Sequence, residues 1–183
     1  MIKMADLLKE ELELPENIEA KIENNALHLK GPKGETSRKL LAPRVDFKVE
    51  GKKIIIDPIK NTKREKKLVK TYAAHIKNMI KGVSEGHHYA LKICSSHFPM
   101  TVTIENSMLS VKNYLGESVP RQLPLKQGVD VKVEGDKIDI ESPDKELAGQ
   151  TAASIERMCS PGNKDRRIFQ DGIYIIEKTG KEI

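Results

Sequence analysis

Cysteine is scarce in this sequence. The 183 residues include only Cys94 and Cys159, and no CxxC pair is present. Many zinc sites begin with that spacing, so the sequence gives no reason to expect a structural zinc ion. We interpret both cysteines as reduced, buried thiols of a cytosolic protein, in preference to a disulfide.

Long apolar runs are also missing. The first residues, MIKMADLLKEELELPEN, are interrupted by Glu10, Glu11 and Glu13. A signal peptide or a membrane span requires a longer uncharged stretch. We therefore expect a soluble protein that is neither exported nor anchored to a membrane.

Motifs of catalysis are absent as well. The sequence has no P-loop, no dinucleotide-binding fingerprint and no GxSxG elbow. His87 and His88 are adjacent on a predicted strand, so their side chains point to opposite faces and are poorly placed to share a metal ion. His97 has no second ligand nearby in sequence. We expect no catalytic residue, no metal, no cofactor and no small-molecule substrate.

Charge is abundant and unevenly placed. Charged residues make up 32% of the chain and the net charge is +5. Residues 1–82 carry 19 Lys/Arg and 12 Asp/Glu, whereas residues 83–183 carry 13 and 15. A basic balance favours polyanionic partners without requiring them, and two solvated surfaces of different sign would give the same numbers.

The chain contains an internal repeat. The segment IENNALHL from Ile22 aligns with IENSMLSV from Ile104, and VDFKVEGKKIIID from Val45 aligns with VDVKVEGDKIDIE from Val129. A third pair, AAHIKNM from Ala73 and AASIERM from Ala152, follows in the same order. Three matching blocks in one order predict a duplicated domain.

The sequence pattern of each copy predicts strands followed by one helix. Apolar residues alternate with charged ones from Val45 and from Val129, which is the period of a half-buried strand. Thr62 with Glu65 resembles a capping box for a first helix to about Lys81, and Ser142 precedes a second helix as its expected cap. The fold class predicted is α+β, with two tandem two-layer domains in which an antiparallel or mixed sheet packs against one helix.

The predicted domains are residues 1–82 and 83–183, with the boundary near Gly82 to Gly86. In the first, the segment GPKG at Gly31 fits the GxxG clamp of RNA-binding KH domains, but it joins strands where such a clamp needs helices. We interpret it as a turn, whose lysines Lys30 and Lys33 remain able to touch phosphate.

The strongest functional signal is the segment NKDRRIFQDGIYIIEKTGK, which starts at Asn163. Three cations in four residues suit contact with phosphate oxygens and with the exposed edges of folded RNA. Phe169 precedes the strand-like IYII and Tyr174 lies within it, and both are interpreted as core residues. The candidate RNA-binding residues are Arg157, Asn163, Lys164, Arg166, Arg167, Lys178 and Lys181.

These segments resemble a known family, the universal large-subunit ribosomal protein called "L-six", in its archaeal and eukaryotic branch, whose eukaryotic member is numbered nine. The resemblance covers nearly the whole chain. It is carried by PENIEAKIENNALHLKGPKG, HIKNMIKGVSEGHHY, SSHFPMTV and above all NKDRRIFQDGIYIIEK. The YKGKG-type loop of the bacterial branch is absent.

The resemblance implies a cytoplasmic, non-enzymatic constituent of the large ribosomal subunit. Its expected partners are large-subunit rRNA near the sarcin-ricin loop, neighbouring ribosomal proteins and, close by, the translational GTPases that dock there. It implies that the second domain is the main rRNA-binding domain, although the first has the greater net charge. An extraribosomal RNA-binding module and a protein-protein adaptor remain as alternatives.

Overall fold

The fold is that of a computed structural model of the chain, which describes residues 9–42, 44–60, 62–96, 98–162, 164–165 and 167–182. Contacts within the chain divide it into two compact units. The first ends at Gly86 and the second begins at His87. That residues 1–82 and 83–183 fold independently of each other stays a prediction.

The first unit contains six strands and one helix within the described residues. The strands form two antiparallel sheets, in the orders β1-β6-β5 and β2-β3-β4. Helix α1 contacts strands of both sheets. The elements are β1 (Glu10–Glu13), β2 (Glu19–Glu23), β3 (Ala26–Gly31), β4 (Gly34–Lys39), β5 (Val45–Glu50), β6 (Lys53–Pro58) and α1 (Lys63–Ser84).

The second unit repeats this plan and extends it. Its strands form the orders β11-β12-β7-β13-β14 and β10-β9-β8, again with every pair antiparallel. Helix α2 packs on β7, β10, β12 and β13. The elements are β7 (His87–Cys94), β8 (Thr101–Glu105), β9 (Met108–Lys112), a short 3-10 turn (Tyr114–Gly116), β10 (Arg121–Pro124), β11 (Asp130–Glu134), β12 (Lys137–Ser142), α2 (Lys145–Met158), β13 (Gly172–Lys178) and β14 (Lys181–Glu182).

The two units share one strand order, which confirms the duplication. The sheet β5-β6-β1 corresponds to β11-β12-β7, and β4-β3-β2 corresponds to β10-β9-β8. Even the turns match, because Gly51 and Gly135 both have a φ of 59° between corresponding strands. Glycine adopts a positive φ without the steric cost that a Cβ adds, which explains why the turn residue is the same in both copies.

The sequence predicted one sheet per domain, whereas each unit has two. The α+β class and the packing of one helix on a layer of strands are confirmed, but the strands of each unit form two separate sheets. In the first unit Leu27 and Leu29 of β3 and Ile54 and Ile56 of β6 are all at most 1% exposed, in one core beneath α1. One amphipathic helix therefore covers the apolar faces of two sheets at once.

The first helix begins after Thr62, as predicted, but it lacks the predicted capping hydrogen bond and ends later. Thr62 is its N-cap residue, but its side chain makes no capping hydrogen bond to the backbone. The hydroxyl of Thr62 instead donates to the carboxylate of Glu65, which is fully buried and also lies 3.4 Å from Nη1 of Arg44. The helix continues past Lys81 to Ser84, because Gly86 with its φ of 87° is the residue that ends it.

The second helix starts later than predicted. Ser142 is the last residue of β12, and its hydroxyl donates to the carbonyl of Gly128 at 2.8 Å. Asp144 is the cap in its place, since its carboxylate accepts a hydrogen bond from the backbone N–H of Glu146 at 2.8 Å. The helical spacing of Ala148, Ala152, Ile155 and Cys159 in the sequence predicts an inner stripe for this helix, and all four residues are buried.

The cysteines are free but differ in burial. Cys159 is 1% exposed, and burial raises the pKa of its thiol to about 11. Cys94 is only half-buried at the end of β7, so the interpretation of two buried thiols was wrong for this residue. Among the described helices, none is long and apolar enough to cross a membrane.

The segment at Gly31 is a tight turn between β3 and β4, as predicted. The N–H of Lys33 donates to the carbonyl of Val83 at 3.0 Å, so the turn is fastened to the last turn of α1. A Cβ on Gly31 would lie 2.7 Å from that same carbonyl oxygen. Close approach of helix and turn therefore requires glycine at this position.

Gly31→Ala is expected to lower the free energy of unfolding by about 1 to 3 kcal/mol, since the added methyl group must push the turn away from Val83. Urea denaturation followed by circular dichroism measures the change. Gly162→Ala is the matched control, because no described atom lies within 4 Å of a Cβ added there. Equal midpoints for the two variants would show that the contact with Val83 imposes no constraint.

Candidate nucleic-acid interface

The first part of the predicted basic segment lies in the connection between α2 and β13; we call residues 160–171, as far as the structure describes them, the basic loop. Lys164 and Arg167 are exposed in it, and the side chain of Arg167 is 90% accessible. Asn163 and Arg166 lie outside the described residues. The loop therefore presents cations directly after the helix, as the sequence indicated.

Arg121 of β10 holds the start of the basic loop. Its guanidinium donates to the backbone carbonyl of Met158, the last residue of α2. It also donates two hydrogen bonds to the carboxylate of Glu117, at 2.6 and 2.7 Å, and lies over the ring of Tyr114 at 4.1 Å. The hydrogen bond from Arg121 lowers the pKa of Glu117 and so keeps the pair ionised. A residue of strand β10 thereby binds a backbone carbonyl at the C-terminal end of α2, where the helix itself has no donor to offer.

Asp171 and Gly172 hold the other end of the loop. The carboxylate of Asp171 is 3% exposed and accepts hydrogen bonds from both the backbone N–H and the hydroxyl of Ser96, at 2.7 and 2.5 Å. A Cβ on Gly172 would lie 3.1 Å from the carbonyl oxygen of Cys159. The Asp-Gly pair of the segment thus has a structural reason. Asp171 binds Ser96, which follows β7, and Gly172 permits a close approach to Cys159 at the end of α2.

Asp165 organises the interior of the loop. Its backbone carbonyl accepts from the N–H groups of Ile168 and Phe169, at 3.1 and 2.9 Å. Its carboxylate pairs with the guanidinium of Arg167 at 2.8 Å, and hydrogen bonds from Arg167 lower the pKa of Asp165. Arg167 is therefore both exposed and oriented, because one edge of its planar group is already held.

The aromatic residues of the segment are not core residues, so that interpretation was wrong. Phe169 and Tyr174 are each 39% exposed, and Ile168 is 73% exposed. Tyr174 alternates with Ile173, which is 1% exposed, so the period of β13 turns Tyr174 to the opposite face of the sheet. Phe169 lies in the loop, where the ammonium of Lys164 sits 4.8 Å from its ring centroid.

The remaining predicted residues fall into two groups. Arg157 is exposed on the last turn of α2, next to the basic loop. Lys178 and Lys181 are exposed partners across the β13–β14 turn. Strand β13 runs from Gly172 to Lys178, a length of roughly 20 Å at about 3.4 Å per residue, so the lysine pair is a second basic position.

An open groove borders the basic loop, with a volume of about 590 Å³. Sequence analysis did not assign Lys92, which faces this groove beside Tyr174 because the two residues are paired in register on β7 and β13. Gln170 and Asp171 line it from the loop. The groove thus has a lysine and an aromatic side chain on its wall. Only the strand register reveals this pair, since the two residues are far apart in sequence.

The side chain of His88 lies close to two carboxylates. Its Nε2 lies 3.0 Å from Asp139 and its Nδ1 lies 3.6 Å from Glu177, which places the ring between two carboxylates on the sheet. Within the residues that the structure describes, no group of His, Cys, Asp and Glu side chains could hold a metal ion.

Comparison with known proteins identifies one matching family. The family model of ribosomal protein L6 matches residues 14–86 and 98–172, one match for each unit. The chain is 41% identical to the large ribosomal subunit protein uL6 of Methanococcus vannielii, over 97% of this chain and 98% of that protein. It is 44% identical to the large ribosomal subunit protein uL6 of Nanoarchaeum equitans, over 97% of this chain and 96% of that protein.

Asp171→Ala is expected to lower the free energy of unfolding by about 1 to 3 kcal/mol, because Ser96 loses its buried acceptor. Urea denaturation measures the change. Asp165→Ala removes an exposed carboxylate from the same loop and should leave the midpoint unchanged. If both variants unfold at the same urea concentration, Asp171 does not anchor the loop.

A dependence on alkaline pH is expected from Tyr114. Burial raises the pKa of this phenol to about 12, against about 10 for an exposed tyrosine. The unfolded chain loses the proton first, so this contribution to stability is complete below about pH 10 and declines as the pH rises towards 12.

Tyr114→Phe has no phenolic proton to lose. Relative to pH 8, its free energy of unfolding should therefore exceed that of the unsubstituted chain by a margin that grows by about 1 kcal/mol per pH unit above pH 10. Denaturation curves from pH 8 to pH 11 measure this margin. Parallel pH profiles for the two proteins would contradict the assignment.

Proposed function

The chain belongs to the ribosomal protein L6 family, and we propose that it binds large-subunit rRNA near the sarcin-ricin loop, beside the docking site of translational GTPases. As a member of this family it is a structural, non-enzymatic constituent of the large ribosomal subunit in the cytoplasm, and rRNA and other ribosomal proteins are its partners. The position within the subunit and the contact residues are the proposed part.

The observation that carries the proposal is the basic loop, an exposed cationic loop held at both ends. Arg121 fixes its first end and Asp171 its last. A loop that is ordered before binding loses less conformational entropy when it meets RNA. Lys164 and Arg167 can then form charge-assisted hydrogen bonds with phosphate oxygens at little additional cost.

The exposed apolar residues support the same proposal. Ile168 is 73% exposed and Phe169 39% exposed, and both follow Arg167 directly in the chain. Folded RNA offers unstacked bases in its loops and bulges, and proteins bind such bases on aromatic rings. We propose that the loop contacts phosphates through its cations and that Phe169 and Tyr174 lie against base or sugar surfaces.

The second unit is proposed as the main rRNA-binding unit although its net charge is negative. Coulomb interactions across salt water act within about a Debye length of 8 to 10 Å, so the local density of cations matters more than the sum over the unit. Arg157, Lys164 and Arg167 occur within eleven residues of one another. Lys178 and Lys181 would contact a further phosphate about 20 Å along β13.

The test replaces Lys164, Arg166 and Arg167 with alanine in the full chain. Removing one phosphate contact should reduce the slope of log affinity against log salt by roughly 0.7 to 1, so the slope should flatten by about 2 to 3. Fluorescence anisotropy with an rRNA fragment that contains the sarcin-ricin region, across a salt series, measures the slope.

The matched control replaces Lys112, Lys132 and Lys137, three exposed lysines on strands of the same unit, and therefore changes the net charge equally. Its slope should stay within about one unit of the original. Circular dichroism checks that both variants fold. An unchanged slope in the loop variant, or an equal change in the control, removes the basic loop from the binding site.

A further inference from the structure

Lysines line the solvent side of α1, and we call this set the lysine stripe. Most have another stripe lysine three or four positions away, Lys66 and Lys67 are adjacent, and a step of seven positions from Lys70 to Lys77 passes the exposed Ala74. All six lysines are exposed. The row spans roughly 27 Å, at about 1.5 Å per residue. It consists of Lys63, Lys66, Lys67, Lys70, Lys77 and Lys81.

The stripe lies opposite the buried face of the helix. The buried face carries Val69, Ala73, Ile76 and Met79, which are at most 9% exposed. At 3.6 residues per turn the lysines project from the other side within an arc of about 100°. The helix is therefore anchored in the core by one face and presents its lysines to solvent on the other, with the uncharged Thr71, Ala74 and Asn78 among or beside them.

No acidic residue neutralises the stripe from within the helix. Glu65 is the only acid in α1, and it is fully buried with its carboxylate bonded to Thr62. Within the described part of the chain, one stripe lysine has an ion pair, from Lys81 to Glu85 at 3.9 Å.

The arrangement is unfavourable for the helix itself. Lys63, Arg64, Lys66 and Lys67 crowd the first turns, where the helix dipole is positive and acids are preferred. Lys63 with Lys67, Lys66 with Lys70, and Lys77 with Lys81 are like charges one turn apart, which destabilise a helix. Stability of the fold therefore does not account for the stripe.

The duplicated unit supplies an internal comparison. Helix α2 occupies the corresponding place in the second unit, with Ala152 aligned to Ala73. Lys66 corresponds to Lys145, whereas Lys67, Lys70 and Lys77 correspond to Glu146, Gly149 and Glu156. The same fold therefore forms without lysines at the last three positions.

We propose that the lysine stripe is a second RNA-binding surface, which holds the phosphate backbone of an RNA duplex without reading its sequence. A straight row of ammonium groups is complementary to a regular line of phosphates. No aromatic residue or hydrogen-bond acceptor of a base-reading kind lies in the row, so contacts to base edges are not expected.

Two other polyanions fit less well. A basic helix that binds a lipid surface also inserts apolar residues, but the apolar face of α1 is buried in the core of its unit. An acidic protein would match the charge, but the stripe offers it no exposed apolar anchor of the kind that protein interfaces use. The choice of RNA among the polyanions rests on the proposed function. The stripe is nevertheless a separate surface, because it lies in the first unit and the basic loop lies in the second.

The test replaces Lys63, Lys67, Lys70 and Lys77 with glutamine in the full chain. Its probe is a blunt RNA duplex of about 20 base pairs without ribosomal sequence, longer than the roughly 16 base pairs that a duplex-binding domain spans. At about 0.9 per phosphate contact, the slope of log affinity against log salt should fall by about 2 to 4. The same four residues changed to arginine should keep the slope, because the charge is retained.

Four exposed or half-buried strand lysines of the same unit serve as the matched control. Lys21, Lys30, Lys39 and Lys48 changed to glutamine alter the net charge equally and should leave the slope nearly unchanged. The stripe variant should melt at the same or a higher temperature, since repulsion is removed. An unchanged slope in the stripe variant, an equal change in the control, or a lower melting temperature of the stripe variant overturns the proposal.

Two further probes separate this proposal from the proposed function. The stripe variant should bind the sarcin-ricin fragment and the unrelated duplex with the same loss of affinity, whereas the basic-loop variant should lose its preference for the fragment. If only the loop variant is weakened, the stripe proposal fails alone. If only the stripe variant is weakened, the proposed site in the basic loop fails alone. Binding of polyglutamate as tightly as duplex at equal salt would assign the stripe to an acidic protein and reject RNA.

Discussion

Each unit depends on one helix that must cover two small sheets. Neither three-stranded sheet of the first unit could bury its apolar face alone, and α1 contacts strands of both. Val69 and Ile76 of the helix share a core with Leu29 of one sheet and Ile56 of the other. Because the apolar face of the helix is committed to this core, its opposite face is free to carry any polar residue. The lysine stripe occupies the face that the core leaves open to solvent.

The same constraint explains how duplication produced two different surfaces. The core positions are shared, as Ala73 and Ala152 illustrate, since both are at most 2% exposed on the inner face of their helices. Solvent positions are under no such requirement, so the exposed Lys67 in one helix can correspond to the exposed Glu146 in the other. The second unit also adds β13 to the edge of β7, and the connection to that strand is the basic loop. Its position follows from the two elements that it joins.

In both the lysine stripe and the basic loop, the local arrangement of cations matters more than the net charge of the unit. The first unit carries its cations in a regular row on a rigid helix, which suits a regular polyanion. The second unit has more acids than bases, yet Lys164 and Arg167 project from a loop held by Arg121 and Asp171. Net charge alone would assign RNA binding to the first unit only. Distances of a few ångströms decide the contacts, because salt screens anything beyond about a Debye length.

Local patterns in the sequence determined the repeat, the strands, the inner stripe of α2 and the turn at Gly31, because alternation, helical spacing and glycine depend on near neighbours. The basic loop was also predictable from its cations. Tertiary structure alone decided which residues meet across the fold. Tyr174 was placed in the core by its apolar neighbours, but the register of β13 turns it outwards beside Lys92. Arg121 is 37 residues from Met158 in sequence, and only packing brings its guanidinium to the end of α2. Contacts between distant residues are set by how the sheets and helices pack. Local sequence patterns depend only on near neighbours and therefore cannot predict these contacts.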